Sequence, residues 1–294
     1  REAEVVGVQA GMVVSYYDTE AEAIAGNNPL PTNYTNIVAG AQGIFARIEN
    51  GTTGCYAITT LQLVVNPQPT TIAVTAYELC DDTNSGDDQE LFDLPTKDAE
   101  ILDGQVNVTV TYYENQTDAD SGVNAITTLY ANTSNPQPIV AVLTNTITSC
   151  SSSVTFDLLV NPLPAVIAPT PLEVCDDGTP DGLTEIDLSI KNTEITANNP
   201  VYSVSYYETL ADAESETSPL PILYTNTSNG QIIFVRVENT GTGCYSTTTL
   251  ELAVEQAPVA FTPMALRYCD PDNDGFGLFT LTDTENEITG GASG

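Results

Sequence analysis

Apolar and polar side chains alternate along residues 231–239. Ile233, Val235 and Val237 fall on one side of the pattern, and Phe234, Arg236 and Glu238 fall on the other. A period of two means an extended strand with two distinct faces. Strand-like runs recur through the region: PLEVC (171–175), LTEIDLSI (183–190), VYSVSYYE (201–208), LPILYTN (220–226), QIIFVRVEN (231–239) and STTTLELAV (246–254). Asn229-Gly230 and the Thr-Gly-Thr-Gly run at 240–243 mark turns between them. A short Ala- and Asp-rich stretch such as ADAE (211–214) follows each Tyr-Tyr pair and predicts one helical turn on a crossover.

The same text returns along the chain. VVSYYDTEAEA (13–23) reappears as VTYYENQTDAD (110–120) and VSYYETLADAE (204–214). IFARIENGTTGCYAITTLQLVVNP (44–67) reappears as IFVRVENTGTGCYSTTTLELAVEQ (233–256), with a more diverged middle copy at 139–162. AYELCDD (76–82), PLEVCDD (171–177) and LRYCDPD (266–272) form a third set. The cysteines Cys55, Cys80, Cys150, Cys175, Cys244 and Cys269 are spaced by 25, 70, 25, 69 and 25 residues, so the period is 94 to 95. A unit of this size with these strands predicts an all-β fold: tandem Ig-like antiparallel β-sandwich repeats in a linear array. Proline-bearing segments between the copies predict junctions near 67, 162 and 257. The expected organisation is 1–67 as the later part of a repeat, 68–162 and 163–257 as whole repeats, and 258–294 as the early part of another. The simpler expectation is a window on a longer array. The alternative is a filament subunit that polymerises head to tail by completing half-repeats.

Composition narrows the function. Six Lys and Arg stand against 40 Asp and Glu, a net charge of −34, and the chain has no His. Nucleic-acid binding needs a basic stripe, which these cations do not supply. No apolar stretch is long enough to span a membrane. Without His there is no Ser-His-Asp set, and near-copies of one unit argue against a unique active site, so no enzymatic activity is expected. An accessory β-sandwich region of a large secreted enzyme is a further alternative.

The recurring string PLEVCDD, then VSYYET with ADAE, then YTNT and RVENTGTGCYSTTTLEL resembles the tandem repeats of giant Bacteroidota cell-surface proteins. These include flavobacterial gliding-motility adhesins exported by type IX secretion. The resemblance implies a secreted filamentous adhesin at the cell surface, associated with the outer membrane, with these repeats as its shaft. Its implied partners are neighbouring repeats, surface polysaccharide and outer-membrane motility or secretion machinery. The middle unit departs from the pattern, with Val142 where its neighbours have Arg47 and Arg236.

Two sets of residues carry candidate chemistry. The first is the acidic loop after the second cysteine type. Asp270, Asp272 and Asp274 alternate before Gly275 in the last copy of the loop; Asp176, Asp177 and Asp181 occupy the middle copy, and Asp81 and Asp82 the first. Such loops suit structural Ca²⁺, which takes 6–8 oxygen ligands; the bland reading is Asp favoured by turns. The expected order of strength is 270–274, then 176–181, then 81–88. The second set is the cysteines, which read as disulfides in an exported protein. Two pairings fit the period. One joins Cys80–Cys150 and Cys175–Cys244 within repeats, leaving Cys55 and Cys269 to partners outside the segment. The other joins Cys55–Cys80, Cys150–Cys175 and Cys244–Cys269 across junctions. The first is expected, because a strand, a linker and another strand separate the sulfurs in the second and bridging needs Cα atoms within about 7 Å. In each Tyr-Tyr pair, one ring is expected in the core and the other outside.

Overall fold

The computed structural model describes residues 5, 7, 9–177, 181–256, 258–271 and 274–291. The chain divides into two compact units, 1–78 with 91–159 and 79–90 with 160–294. The segment 79–90 therefore belongs to the same unit as the third repeat.

In the first unit, β1 (Met12–Tyr17), β2 (Ala41–Asn50) and β3 (Tyr56–Val64) form an antiparallel sheet in that order, with helix α1 (Glu20–Ala25) after β1. The second repeat contributes β4 (Tyr77–Cys80), β5 (Leu91–Phe92), α2 (Asp98–Leu102), β6 (Val108–Tyr113), α3 (Gln116–Ser121), β7 (Tyr130–Ala131), β8 (Gln137–Asn145) and β9 (Ser151–Asn161). Its sheets have the orders β4-β9-β8-β6 and β5-β7.

The third repeat follows the same plan with β10 (Leu172–Cys175), β11 (Glu185–Asp187), α4 (Asn192–Ile195), β12 (Tyr202–Tyr207), α5 (Leu210–Ser215), β13 (Leu223–Thr225), β14 (Gln231–Asn239) and β15 (Tyr245–Glu255). Its sheets are β10-β15-β14-β12 and β11-β13. β10 runs parallel to β15, with Leu172 beside Leu252 and Cys175 beside Glu255. The other pairings are antiparallel. Between the sheets lie Leu172, Ile186, Leu188, Ile195, Tyr206, Tyr224, Ile233, Val235, Val237, Leu250, Leu252 and Val254, all buried. The alternating positions 233, 235 and 237 thus face the core. This is the all-β, tandem Ig-like architecture that the strand pattern predicts.

Two local differences have clear causes. LTEIDLSI is a strand only to Asp187; the Asp187 carboxylate accepts the Ser189 N–H, and Leu188–Lys191 turns into a 3₁₀ helix that leads into α4. Both rings of the Tyr-Tyr pair are buried, Tyr206 and Tyr207 alike. Tyr206 points between the sheets, where its single hydroxyl proton is shared between Leu188 O at 2.8 Å and Asn192 Oδ1 at 2.6 Å. Tyr207 faces the other way, and α5, which packs on β12 and β14, covers that outer face.

In the segment 258–291 the described residues form a 3₁₀ turn and a short helix, α6 (Glu285–Ile288), with no strand. Leu281, which matches Leu188 in the repeat, is 74% exposed where Leu188 is 0% exposed.

Candidate functional site

The hairpin between β14 and β15 is closed by its own residues. Asn239 N donates to Cys244 O, Gly243 N donates to Asn239 O, and the Asn239 side chain accepts from Gly241 N. Gly243 has φ +74°, a conformation that glycine adopts without strain. The same turn recurs at Asn50–Cys55 and at Asn145–Cys150, where Ser149 takes the positive φ. This turn sets a cysteine at the start of the last strand. The other cysteine type ends the first strand: Asp81 N and Asp176 N continue the ladder by donating to Asn161 O and Glu255 O.

These placements decide the pairing. Cys175 lies beside Glu255, whereas Cys244 precedes Tyr245 at the opposite end of β15. Eleven residues of strand separate the two ends by about 35 Å. Cys80 and Cys150 are at opposite ends of β9 for the same reason. The expected bridges Cys80–Cys150 and Cys175–Cys244 are therefore corrected. The structure instead joins Cys80 to Cys244, with Cα atoms 5.6 Å apart and 164 residues between them in sequence. The junction pairing is not formed either, and Cys55, Cys150, Cys175 and Cys269 are free thiols. The bond links the end of the second repeat's first strand to the third repeat's last hairpin. Sequence spacing alone concealed it, because the parallel β10–β15 pairing that sends the two cysteine types to opposite ends is not visible in the period.

A cleft of about 560 Å³ adjoins the bond, lined in part by Cys80, Asp82, Glu214, Arg236, Tyr245 and Thr247. Arg236 is the organising side chain. Its guanidinium stacks over the Tyr245 ring at 3.5 Å, pairs with Glu238 at 2.8 Å and donates to the carbonyls of Ala213 and Glu214 at the end of α5. Arg47 repeats the arrangement with Tyr56, Glu49, Ala23 and Ile24. The alternation that placed Arg236 on the outer face was its sequence signal. Its burial under α5 was not legible there.

The linker is fastened to the repeat that follows it. Ser246 Oγ donates to Pro164 O, Ile167 N donates to Ile195 O, and Lys191 Nζ holds both Thr170 Oγ1 and Glu194. The Lys191 hydrogen bond, helped by the Thr170 N–H, holds the Glu194 carboxyl below its ordinary pKa.

The acidic loops fold around their first aspartate. Asp81, Asp176 and Asp270 each accept a glycine N–H through Oδ2, from Gly86, Gly182 and Gly275. Asp176 Oδ1 also accepts from Asp177 N, while Asp181 and Asp274 cap Leu183 N and Phe276 N. Asp272 lies outside the described residues. Asp82 is exposed and lines the cleft beside the disulfide. Among the described residues, no three His, Cys, Asp or Glu side chains converge on one point.

Solved structures to which the chain is similar include Drosophila OTK extracellular domains 3–5, at 10% identity and TM-score 0.29, covering 83% of this chain and 85% of that one. Sidekick-1 immunoglobulin domains 1–5 match at 10% identity and TM-score 0.24, over 84% of this chain and 54% of that one. Drosophila N-cadherin EC1–4 matches at 10% identity and TM-score 0.21, over 84% and 67%. No curated protein sequence matches the chain. The model of one family matches three times in succession, at residues 1–69, 76–164 and 171–258. With a cysteine bond joining two of those copies, the chain belongs to the Flavobacterium inter-domain disulphide bond domain family.

Proposed function

We propose that the chain is a load-bearing stalk segment of a secreted adhesin at the cell surface, exported by type IX secretion and serving attachment or gliding. Its role is mechanical, with no catalysis. The observation that carries this reading is the Cys80–Cys244 bond, which ties one repeat to the next in addition to the linker. A disulfide of this kind persists in an oxidising, extracellular setting. Among the described residues no helix is long and apolar enough to cross a membrane.

The free cysteines extend the reading. A step of 164 residues repeated along the array pairs each first-strand cysteine with the hairpin cysteine of the following repeat. Cys175 and Cys269 then bond forward, and Cys55 and Cys150 bond backward, to repeats outside these residues. Partners of the stalk are neighbouring repeats, with surface polysaccharide or outer-membrane motility machinery at the ends of the whole protein. The test is non-reducing peptide mapping of the native protein together with surface labelling of intact cells. Crosslinks at the 164-residue step on a surface-exposed protein support the reading. Reduced thiols throughout, or a protein confined to the cytoplasm, reject it.

A further inference from the structure

The loop that begins at the disulfide holds one buried carboxylate oxygen without a hydrogen-bond partner. Asp81 follows Cys80 directly and is 1% exposed. Its Oδ2 accepts the Gly86 N–H at 2.6 Å, so the carboxylate points into the loop 81–90. Its Oδ1 is buried with no hydrogen-bond partner, the one such side-chain atom among the described residues. No Lys or Arg pairs with Asp81 among the described residues. A buried carboxylate oxygen left bare is expensive, more so than a neutral one. The equivalent Asp176 does not share the problem, because both its oxygens take backbone N–H groups.

The loop supplies further oxygens. Glu90 is buried and enters from the other end, where it accepts from Asp82 N, Thr83 N and Thr83 Oγ1. Asp82, Asp87 and Asp88 are exposed on the same ten residues. The donors are all oxygen and mostly anionic, which selects a hard cation over zinc or copper. Mg²⁺ demands a rigid octahedron, whereas Ca²⁺ accepts irregular sets that include carbonyls and water.

We propose that loop 81–90 binds one Ca²⁺, with Asp81 Oδ1 as its buried ligand. Because no three acidic side chains already converge, backbone oxygens and water complete the shell. The affinity falls in the weak range of extracellular modules, about 10⁻⁴–10⁻³ M. This reverses the order expected from sequence, which ranked the 270–274 loop first. The ion would sit one residue from the disulfide and brace the same joint.

The test uses the oxidised 294-residue chain, freed of metal and titrated with CaCl₂ and separately with MgCl₂. Amide NMR shifts at Thr83 and Gly86 report the loop, and melting reports linkage. At ten times Kd, Ca²⁺ is expected to raise the apparent Tm by about 3–5 °C. Asp81→Asn is expected to weaken binding at least about tenfold, and Asp176→Asn to leave it unchanged. Loop amides that do not respond by roughly 10 mM Ca²⁺ overturn the proposal. An equal response to Mg²⁺ overturns it too, as screening of the net charge. So does undiminished binding in folded Asp81→Asn. Should that variant fail to fold, the shifts of the unmodified chain decide alone.

Discussion

Cys80, the last residue of β4, is bonded to Cys244, 164 residues later in the turn before β15. Closing so long a loop removes much of the unfolded chain's freedom, worth about 5 kcal/mol in the chain-entropy account. Cys80→Ser is expected to lower the stability of the 160–257 region by several kcal/mol, about 2–5. Urea unfolding under non-reducing conditions measures it, and a thiol assay should find one additional free thiol, that of Cys244. An unchanged unfolding midpoint would show that the bond is not a structural brace.

The strands and the repeat period were legible because they depend on local pattern. Ile233, Val235 and Val237 face the core as their spacing requires. The disulfide was not legible, since it depends on which end of a strand each cysteine reaches. That follows from the parallel pairing of Cys175 with Glu255, a long-range contact with no local signature. The acidic loops were legible as a class. Their ranking was not, because it turns on one buried atom, Asp81 Oδ1.

Arg236 locks α5 to the sheet and shields Tyr245. Arg236→Met keeps much of the aliphatic stem but removes the stacking, the ion pair and the donors to two carbonyls. Its expected cost is about 1–3 kcal/mol. Arg236→Lys should recover only part of the loss, because a point charge cannot repeat the planar fork. The second repeat serves as an internal control: Val142 takes the arginine position there, and Ser151 takes the position of Tyr245. Thermal melts of the three chains decide; if lysine restores full stability, the flat guanidinium geometry is irrelevant.

Tyr206 and Tyr112 are held neutral by burial, aided by the nearby charges of Asp187 and Asp98, and both titrate well above ordinary tyrosine. A raised folded pKa gives stability that is complete below the unfolded value near 10 and is lost as pH rises above it. Absorbance titration at alkaline pH should therefore show these phenols ionising only as the fold opens. Tyr206→Phe keeps the ring but strands Leu188 O and Asn192 Oδ1, at about 1–2 kcal/mol. It should also weaken the loss of stability above pH 10. A variant as stable as the parent, with the same alkaline profile, would show that the hydroxyl contributes nothing.

Lys97 and Lys191 pin the start of each repeat to its own helix, the first through Thr75 and Glu100, the second through Thr170 and Glu194. Hydrogen bonds from these lysines, with the Thr75 and Thr170 N–H groups, depress both glutamates below the ordinary value of 4.5. A depressed folded pKa gives stability that is present above 4.5 and lost as pH falls through the folded value. Both carboxylates are partly open to solvent, with side-chain exposures of 30% and 33%, so the effect is small and weakens in salt. Lys97→Met should return Glu100 toward 4.5 in a carboxylate NMR titration while leaving Glu194 depressed, and Lys191→Met should do the reverse. Because the two pins share no residue, the shifts should be independent. If either substitution moves both glutamates, the repeats are coupled through more than their disulfide and linker.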